Sequence, residues 1–257
     1  MDGVSFNFSK RVALVTGASS GIGHQLCLDL ARSGASVVAG ARRKERLDSL
    51  VREIEAAGGR ALAVKMDVDD PASIAAAYDS AQERFGAVNS IYANAGTHLS
   101  GMAVDIPLDD FDKVLRTNLH GVIVTAREGA RRLMAAAPDV ASRGRVVIVS
   151  SVRGISPVPD NIAYCSSKAG AIMAGRTMAL EWAAHGINVN VLCPGVLMTE
   201  ISETFYATEE GKKRLQGFPR QRAMSTDDLT AMLLYLGSDA SRGVTGAVIT
   251  VDDGQTL

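Results

Sequence analysis

Short, uninterrupted apolar runs rich in β-branched residues alternate along the whole chain with longer stretches of helical periodicity, and few folds satisfy that pattern. The strand candidates are Val12–Thr16, Ser36–Ala41, Ala61–Met66, Asn89–Ala93, Arg145–Ser150, Ile187–Cys193 and Ala247–Val251. The helical candidates between them are Ile22–Arg32, Lys44–Ala57, Ala72–Phe85, Asp109–Ala137, Ile162–His185 and Asp227–Gly237. Strands without polar alternation need cover on both faces, which predicts a parallel sheet between two helical layers. One doubly wound α/β domain with seven parallel strands is therefore expected over residues 1–257, since no repeat, low-complexity tract or linker divides the chain.

Local chemistry supports several boundaries. Gly34 and Gly58-Gly59 suit left-handed helix ends, and Asp70-Pro71 supplies a capping carboxylate and a first-turn proline. Lys and Arg number 27 against 28 Asp and Glu, so no basic excess points to nucleic acid or an anionic membrane surface. No charge-free apolar run reaches the roughly 18 residues of a membrane span. The first ten residues read as a short extension without secretory character, which fits a cytoplasmic protein. Cys27, Cys165 and Cys193 are odd in number and widely spaced, and read as reduced packing thiols. His24, His98, His120 and His185 lack metal-ligand spacing, so no metal is expected, and His98 reads as an exposed loop residue.

The first strand runs directly into Gly17-Ala18-Ser19-Ser20-Gly21-Ile22-Gly23, after which a helix begins. A tight glycine turn that opens a helix presents free N–H groups to an anion, as dinucleotide phosphates require. Residues Thr16 to Gly23 resemble the T-G-x-x-x-G-x-G of the short-chain dehydrogenase/reductase family, and the resemblance extends over nearly all of the chain. It implies a Rossmann-type sheet with the cofactor held by Gly17, Ser19, Ser20, Gly21, Ile22 and Gly23. At the end of the second strand, where an NAD-binding fold usually carries an acid, stand Ala41 and then Arg42-Arg43-Lys44. A guanidinium pairs with a 2′-phosphate that a carboxylate would repel, so NADP(H) is favoured over NAD(H). Asp67 and Val68 fall where the family flanks the adenine ring. Ala93-Asn94-Ala95-Gly96 resembles N-N-A-G with its first Asn replaced, and places Asn94 and Gly96 beside the cofactor. Pro194, Gly195, Val196, Leu197 and Thr199 resemble P-G-x-x-x-T, which implies that Val196, Leu197 and Thr199 hold the nicotinamide carboxamide.

Tyr164 and Lys168 lie four residues apart at the start of a helix and share one face. A phenol titrates near pH 10, and a neighbouring ammonium together with a positively charged nicotinamide is expected to bring that value down. Ser151, thirteen residues before Tyr164, ends a strand where α/β sheets bind ligands; Ser150 competes with it, and the spacing favours Ser151. Asn118 resembles the family asparagine of a proton relay. The resemblance thus implies a catalytic set of Asn118, Ser151, Tyr164 and Lys168, with Tyr164 and Lys168 also contacting the cofactor. The expected activity is that of an NADP(H)-preferring carbonyl reductase or alcohol dehydrogenase. An NAD(H)-dependent alcohol or sugar dehydrogenase, a 3-oxoacyl thioester reductase and a non-enzymatic redox sensor are the alternatives. Residues 199–220 form a candidate substrate lid, and Val152, Ile155, Pro157, Val158 and Pro159 a candidate apolar wall. The family implies a homotetramer, and Asp253 replaces the first Gly of its V-D-G-G.

Overall fold

The computed structural model describes residues 5–199 and 202–257. The elements follow in the order β1 (Val12–Thr16), α1 (Gly21–Arg32), β2 (Ser36–Ala41), α2 (Lys44–Ala56), β3 (Arg60–Lys65), α3 (Pro71–Phe85) and β4 (Ser90–Ala93). Then come α4 (Leu108–Leu115), α5 (Gly121–Met134), the short α6 (Pro138–Ala141), β5 (Arg145–Val149), α7 (Ile162–Trp182) and β6 (Asn188–Pro194). The chain closes with α8 (Glu203–Tyr206), α9 (Glu209–Gln216), α10 (Asp227–Gly237) and β7 (Val248–Val251).

All seven strands are parallel, in the order β3-β2-β1-β4-β5-β6-β7. One apolar layer joins α1, α2 and α10 to one sheet face, through Leu26, Leu30, Leu47, Leu50, Leu229 and Leu233. The other joins α3, α5 and α7 to the opposite face, through Ile74, Tyr78, Ala126, Leu133, Ala171 and Met178. The central strands β1, β4, β5 and β6 are therefore buried on both faces, as their unbroken apolar sequences demand. Strand order reverses between β1 and β4, the point at which connections leave in opposite directions and open a crevice.

Most expected elements appear within one or two residues. Asp70 caps α3 by accepting the Ala72 N–H at 2.9 Å, and Gly34 and Gly58 take positive φ. The expected helix Asp109–Ala137 is instead interrupted by a π-helical turn over Arg116–His120, where the Gly121 N–H reaches back to the Arg116 carbonyl. The expected helix Ile162–His185 leaves α-geometry at Trp182 and ends in a 3-10 turn before Gly186. Cys27 and Cys193 are buried as expected, whereas Cys165 is only half-buried.

Beneath the sheet, at the N-terminal ends of its strands, the fully buried Arg11 ties distant segments together. Its guanidinium donates to the carbonyls of Asn89 and Arg143, at 3.1 Å each, and to Ser90 Oγ at 2.9 Å. It also pairs with Asp239 at 2.5 Å. Removing the cation leaves several buried acceptors without a donor. Arg11→Met is expected to lower unfolding free energy by about 2–4 kcal/mol, read as a drop in urea midpoint. An unchanged midpoint would contradict this account of the sheet's base.

Candidate active site

The crevice at the C-terminal ends of β1 and β4 is held in shape by one threonine and one asparagine. Thr16 Oγ1 accepts the N–H groups of Asn94 and Ala95, both at 3.0 Å, and Asn94 Nδ2 donates to the Thr16 carbonyl at 2.8 Å. Ala93, which departs from the family pattern, packs in the apolar layer beside α5 and α7, so this link is made by its neighbours. A Cβ on Gly23 would fall 2.5 Å from the Gly17 carbonyl oxygen, which forces glycine where α1 leaves β1. Gly21 differs: at φ +55° its missing side chain faces open space, with only Thr199 Cγ2 at 3.8 Å. The glycine turn therefore faces Thr199, with Ser19 and Ser20 beside it.

Arg43 leans over both serines. Its Nη2 donates to Ser19 Oγ at 2.9 Å and to Ser20 Oγ at 2.8 Å. Arg42 is exposed at the same strand end, while Lys44 is held in an ion pair with Asp48. The two arginines expected near the cofactor both stand at this strand end, Arg43 resting on the serines and Arg42 exposed. Just after β3, Val68 is buried, and Asp67 Oδ1 accepts the Asp69 N–H at 3.1 Å.

The four residues expected to act together converge at the ends of β4 and β5. Asn118, fully buried in the π-helical turn, accepts the Thr97 N–H at 2.7 Å and donates to the Thr97 carbonyl at 2.8 Å and Ser167 Oγ at 3.2 Å. Lys168 Nζ donates to the Val149 carbonyl at 3.0 Å and lies 5.6 Å from the centre of the Tyr164 ring. Ser151 Oγ accepts the Arg153 N–H at 3.1 Å and favours ionisation of the nearby Tyr164 phenol, whereas Ser150 Oγ donates to the Lys168 carbonyl at 2.9 Å and so braces α7. A Cβ on Gly96 would lie 3.4 Å from Asn118 Oδ1 and 3.6 Å from Lys168 Nζ. A side chain at position 96 would crowd these polar heads, so glycine leaves room beside them, and the Lys168 ammonium is a donor suited to a nucleotide's ribose hydroxyls.

Burial dominates the electrostatics. It pushes the Lys168 ammonium down to about 8 and the Cys193 thiol up. It also raises the Tyr164 phenol above its usual value, against the Ser151 hydrogen bond and the Arg153 charge. Lys168 is not among the groups that lower the phenol, and the nicotinamide charge expected to act with it is a separate contribution. The ammonium lies 5.6 Å from the ring centre, and desolvation of the phenol outweighs what opposes it.

Three further residues enter the site that sequence reading set aside or passed over. His98 is exposed, as expected, yet its ring meets Tyr164 edge-on with centroids 5.1 Å apart, and Nε2 bonds to Asn161 Oδ1. Gln255 uses its amide to bind both backbone groups of Val196, at 2.6 Å and 3.4 Å. Val196 is thereby committed, and Leu197, whose N–H has no partner among the described residues, is the free backbone donor of this segment. Arg153 interrupts the expected apolar wall: Val152 turns into the core and Ile155 is 55% exposed. Only a cation two residues past Ser151 could have flagged it from sequence. Of the lid, residues 200 and 201 lie outside the described residues; the rest forms α8 and α9, with Ser202 Oγ donating to the Leu197 carbonyl at 2.6 Å. Asp253 adopts φ +57° and pairs with Arg220 and Arg222, joining the C-terminal turn to the far end of the lid.

Among the described residues, no helix is long and apolar enough to cross a membrane. Comparison with known proteins finds the short chain dehydrogenase family model matching residues 11–210. A 3-oxoacyl-(acyl-carrier-protein) reductase of Thermotoga maritima is 34% identical over 96% of this chain and 98% of its own. D-threitol dehydrogenase of Mycolicibacterium smegmatis is 29% identical over 98% of this chain and 95% of its own. Among solved structures, a gluconate 5-dehydrogenase from Burkholderia cenocepacia in complex with NADP and tartrate superimposes with a TM-score of 0.91 at 30% identity, covering 98% of this chain and 97% of that one.

The depressed Lys168 has a measurable consequence. The folded state disfavours its charged form, so its contribution to stability rises as pH climbs from about 8 to the ordinary lysine value near 10.5. Urea unfolding across that window should show the wild type gaining on Lys168→Met as pH rises. Parallel curves would show that the ammonium is not desolvated.

Proposed function

This chain belongs to the short-chain dehydrogenase family, as an oxidoreductase of CH–OH groups, and within it we propose an enzyme that interconverts a ketone and a secondary alcohol with NADP(H) preferred. One observation carries the reading: Lys168 Nζ lies 5.6 Å from the Tyr164 ring centre and beside Gly96 and Asn118, with Ser151 at the end of the adjacent strand. When bound, the dinucleotide supplies the hydride for reduction or accepts it in oxidation.

This chain's residues manage the oxygen and its proton. In reduction, negative charge develops on the substrate oxygen and Tyr164 Oη donates a proton to it; in oxidation the phenolate takes one back. Ser151 Oγ orients the same oxygen and stabilises its charge. Lys168 holds the nicotinamide ribose and favours the phenolate. Asn118, locked by Thr97 and Ser167, anchors a water-borne proton path. Gly17, Ser19, Ser20, Gly21, Ile22 and Gly23 form the phosphate cradle, Asp67 and Val68 flank the adenine, and Asn94 and Gly96 line the inner path. Pro194 and Gly195 place Leu197 and Thr199 for the carboxamide.

Arg43 over Ser19 and Ser20, with Arg42 beside it, supports the choice of NADP(H), since no acid occupies that strand end. The gluconate 5-dehydrogenase neighbour, solved with NADP, adds to that support. A homo-oligomer is part of the same reading, and the exposure of Met173 and Leu180 on α7 is in keeping with it.

Tyr164→Phe should lower kcat/KM for any accepted ketone by about a thousandfold, while NADPH still binds in a fluorescence titration. Turnover within tenfold of wild type would remove Tyr164 from its role. Steady-state kinetics should also show Arg42→Ala with Arg43→Ala raising KM for NADPH about tenfold or more, with KM for NADH changing far less. A wild type that prefers NADH would overturn the cofactor choice.

A further inference from the structure

The crevice holds one cation that the proton-transfer chemistry leaves unused. Arg153 stands two residues after Ser151 on the 3-10 turn Val152–Gly154, which packs against α7. Its N–H donates to Ser151 Oγ at 3.1 Å, so the turn that aims the serine also launches the guanidinium. That side chain is half-buried, with Tyr164 and Cys165 of α7, Tyr206 of α8 and Arg214 of α9 as its electrostatic neighbours. Arg214 in turn lies over the Phe205 ring at 6.0 Å.

No carboxylate among the described residues pairs with Arg153. Of the two first-turn acids on α9, Glu209 pairs with Lys212, and Glu210 forms no ion pair with Arg153 among the described residues. The Arg214 charge opposes ionisation of Arg153, and withdrawing a guanidinium from water without a partner is costly. An anion entering between α9 and the 3-10 turn answers both penalties, and a planar guanidinium suits a carboxylate's two oxygens. The 3-10 turn ties Arg153 to the reacting oxygen's side of the site, since its N–H binds Ser151 Oγ.

Building on the ketone–alcohol reading, we propose that Arg153, backed by Arg214, receives a carboxylate of the substrate, so that the enzyme acts on hydroxy acids and oxo acids in preference to their neutral counterparts. Arg153 is then a specificity-determining residue in direct contact with substrate, and the lid residues Tyr206 and Arg214 close over the charged end.

The test pairs charge with neutrality on one carbon skeleton. Initial rates with NADPH are measured for acetoacetate against methyl acetoacetate and for levulinate against methyl levulinate, in wild type, R153M, R153K and R214M. Succinate binding to the cofactor-loaded protein is measured by calorimetry, which needs no turnover. The wild type should favour at least one acid over its ester by at least about tenfold in kcat/KM. In R153M that ratio should fall about thirtyfold or more and succinate affinity should fall with it, with R153K intermediate and R214M milder. Esters used as well as acids by the wild type, equal losses on acid and ester in R153M, or phosphate binding more tightly than succinate would each overturn the proposal. Succinate binding that R153M abolishes, with no ketone reduced by any form, would sink the oxidoreductase reading and leave the anion receptor standing.

Discussion

The site depends on one topological constraint: β1 and β4 are neighbours in the sheet, yet the segments that follow them leave towards opposite faces. A right-handed crossover on each side leaves no helix to cover the gap between them. The gap would splay if its two strand ends were free. Thr16 and Asn94 fasten them with three hydrogen bonds across the crevice floor, and Arg11 fastens the opposite end of the sheet. The groove is consequently rigid where the glycine turn meets it, and its specificity elements are carried on later, more exposed segments.

Inside that groove burial acts as the common cause of several effects. It draws Lys168 towards neutrality, keeps the Tyr164 phenol protonated and holds the Cys193 thiol in its neutral form beneath Ser150 and Ser151. Each group is thereby biased to the uncharged form in the structure as it stands, so that an arriving charge has a large effect on all of them at once. The chemistry is thus coupled to occupancy of the groove: the same low-polarity surroundings that suppress ionisation also strengthen every charge interaction brought into them.

What the sequence made legible was what local spacing encodes. The glycine turn, the Asp70 cap, the alternation of strands and helices and the pairing of Tyr164 with Lys168 are short-range patterns, and they reappear as read. The features that escaped are products of distant contacts. The helix through Asn118 reads as continuous in sequence, and the hydrogen bond that holds Asn118 within its interruption comes from Thr97, twenty-one residues earlier. Gln255 reaches Val196 across fifty-nine residues, and Arg153 acquires meaning only when Tyr206 and Arg214 come alongside. The direction of the Tyr164 shift depended on burial, which residue spacing does not report. Ser151 and Ser150 were separated by spacing alone, and the structure gives the physical reason, since Ser150 is spent on the backbone of α7.

The π-helical turn at Arg116–His120 sets the phase of everything after it. An α-helix advances by about 100° per residue, so the extra residue accommodated there rotates α5 by that amount relative to an unbroken continuation of α4. One side of the turn aims Asn118 inward at Thr97, while the other aims Ala126, Ala130 and Leu133 into the core. A regular helix of the same composition could meet one of these demands and would turn the other towards solvent. The bulge works as a phase adjuster between two surfaces with different periodic requirements, and a single-residue deletion within it would trade a polar anchor for a straight rod.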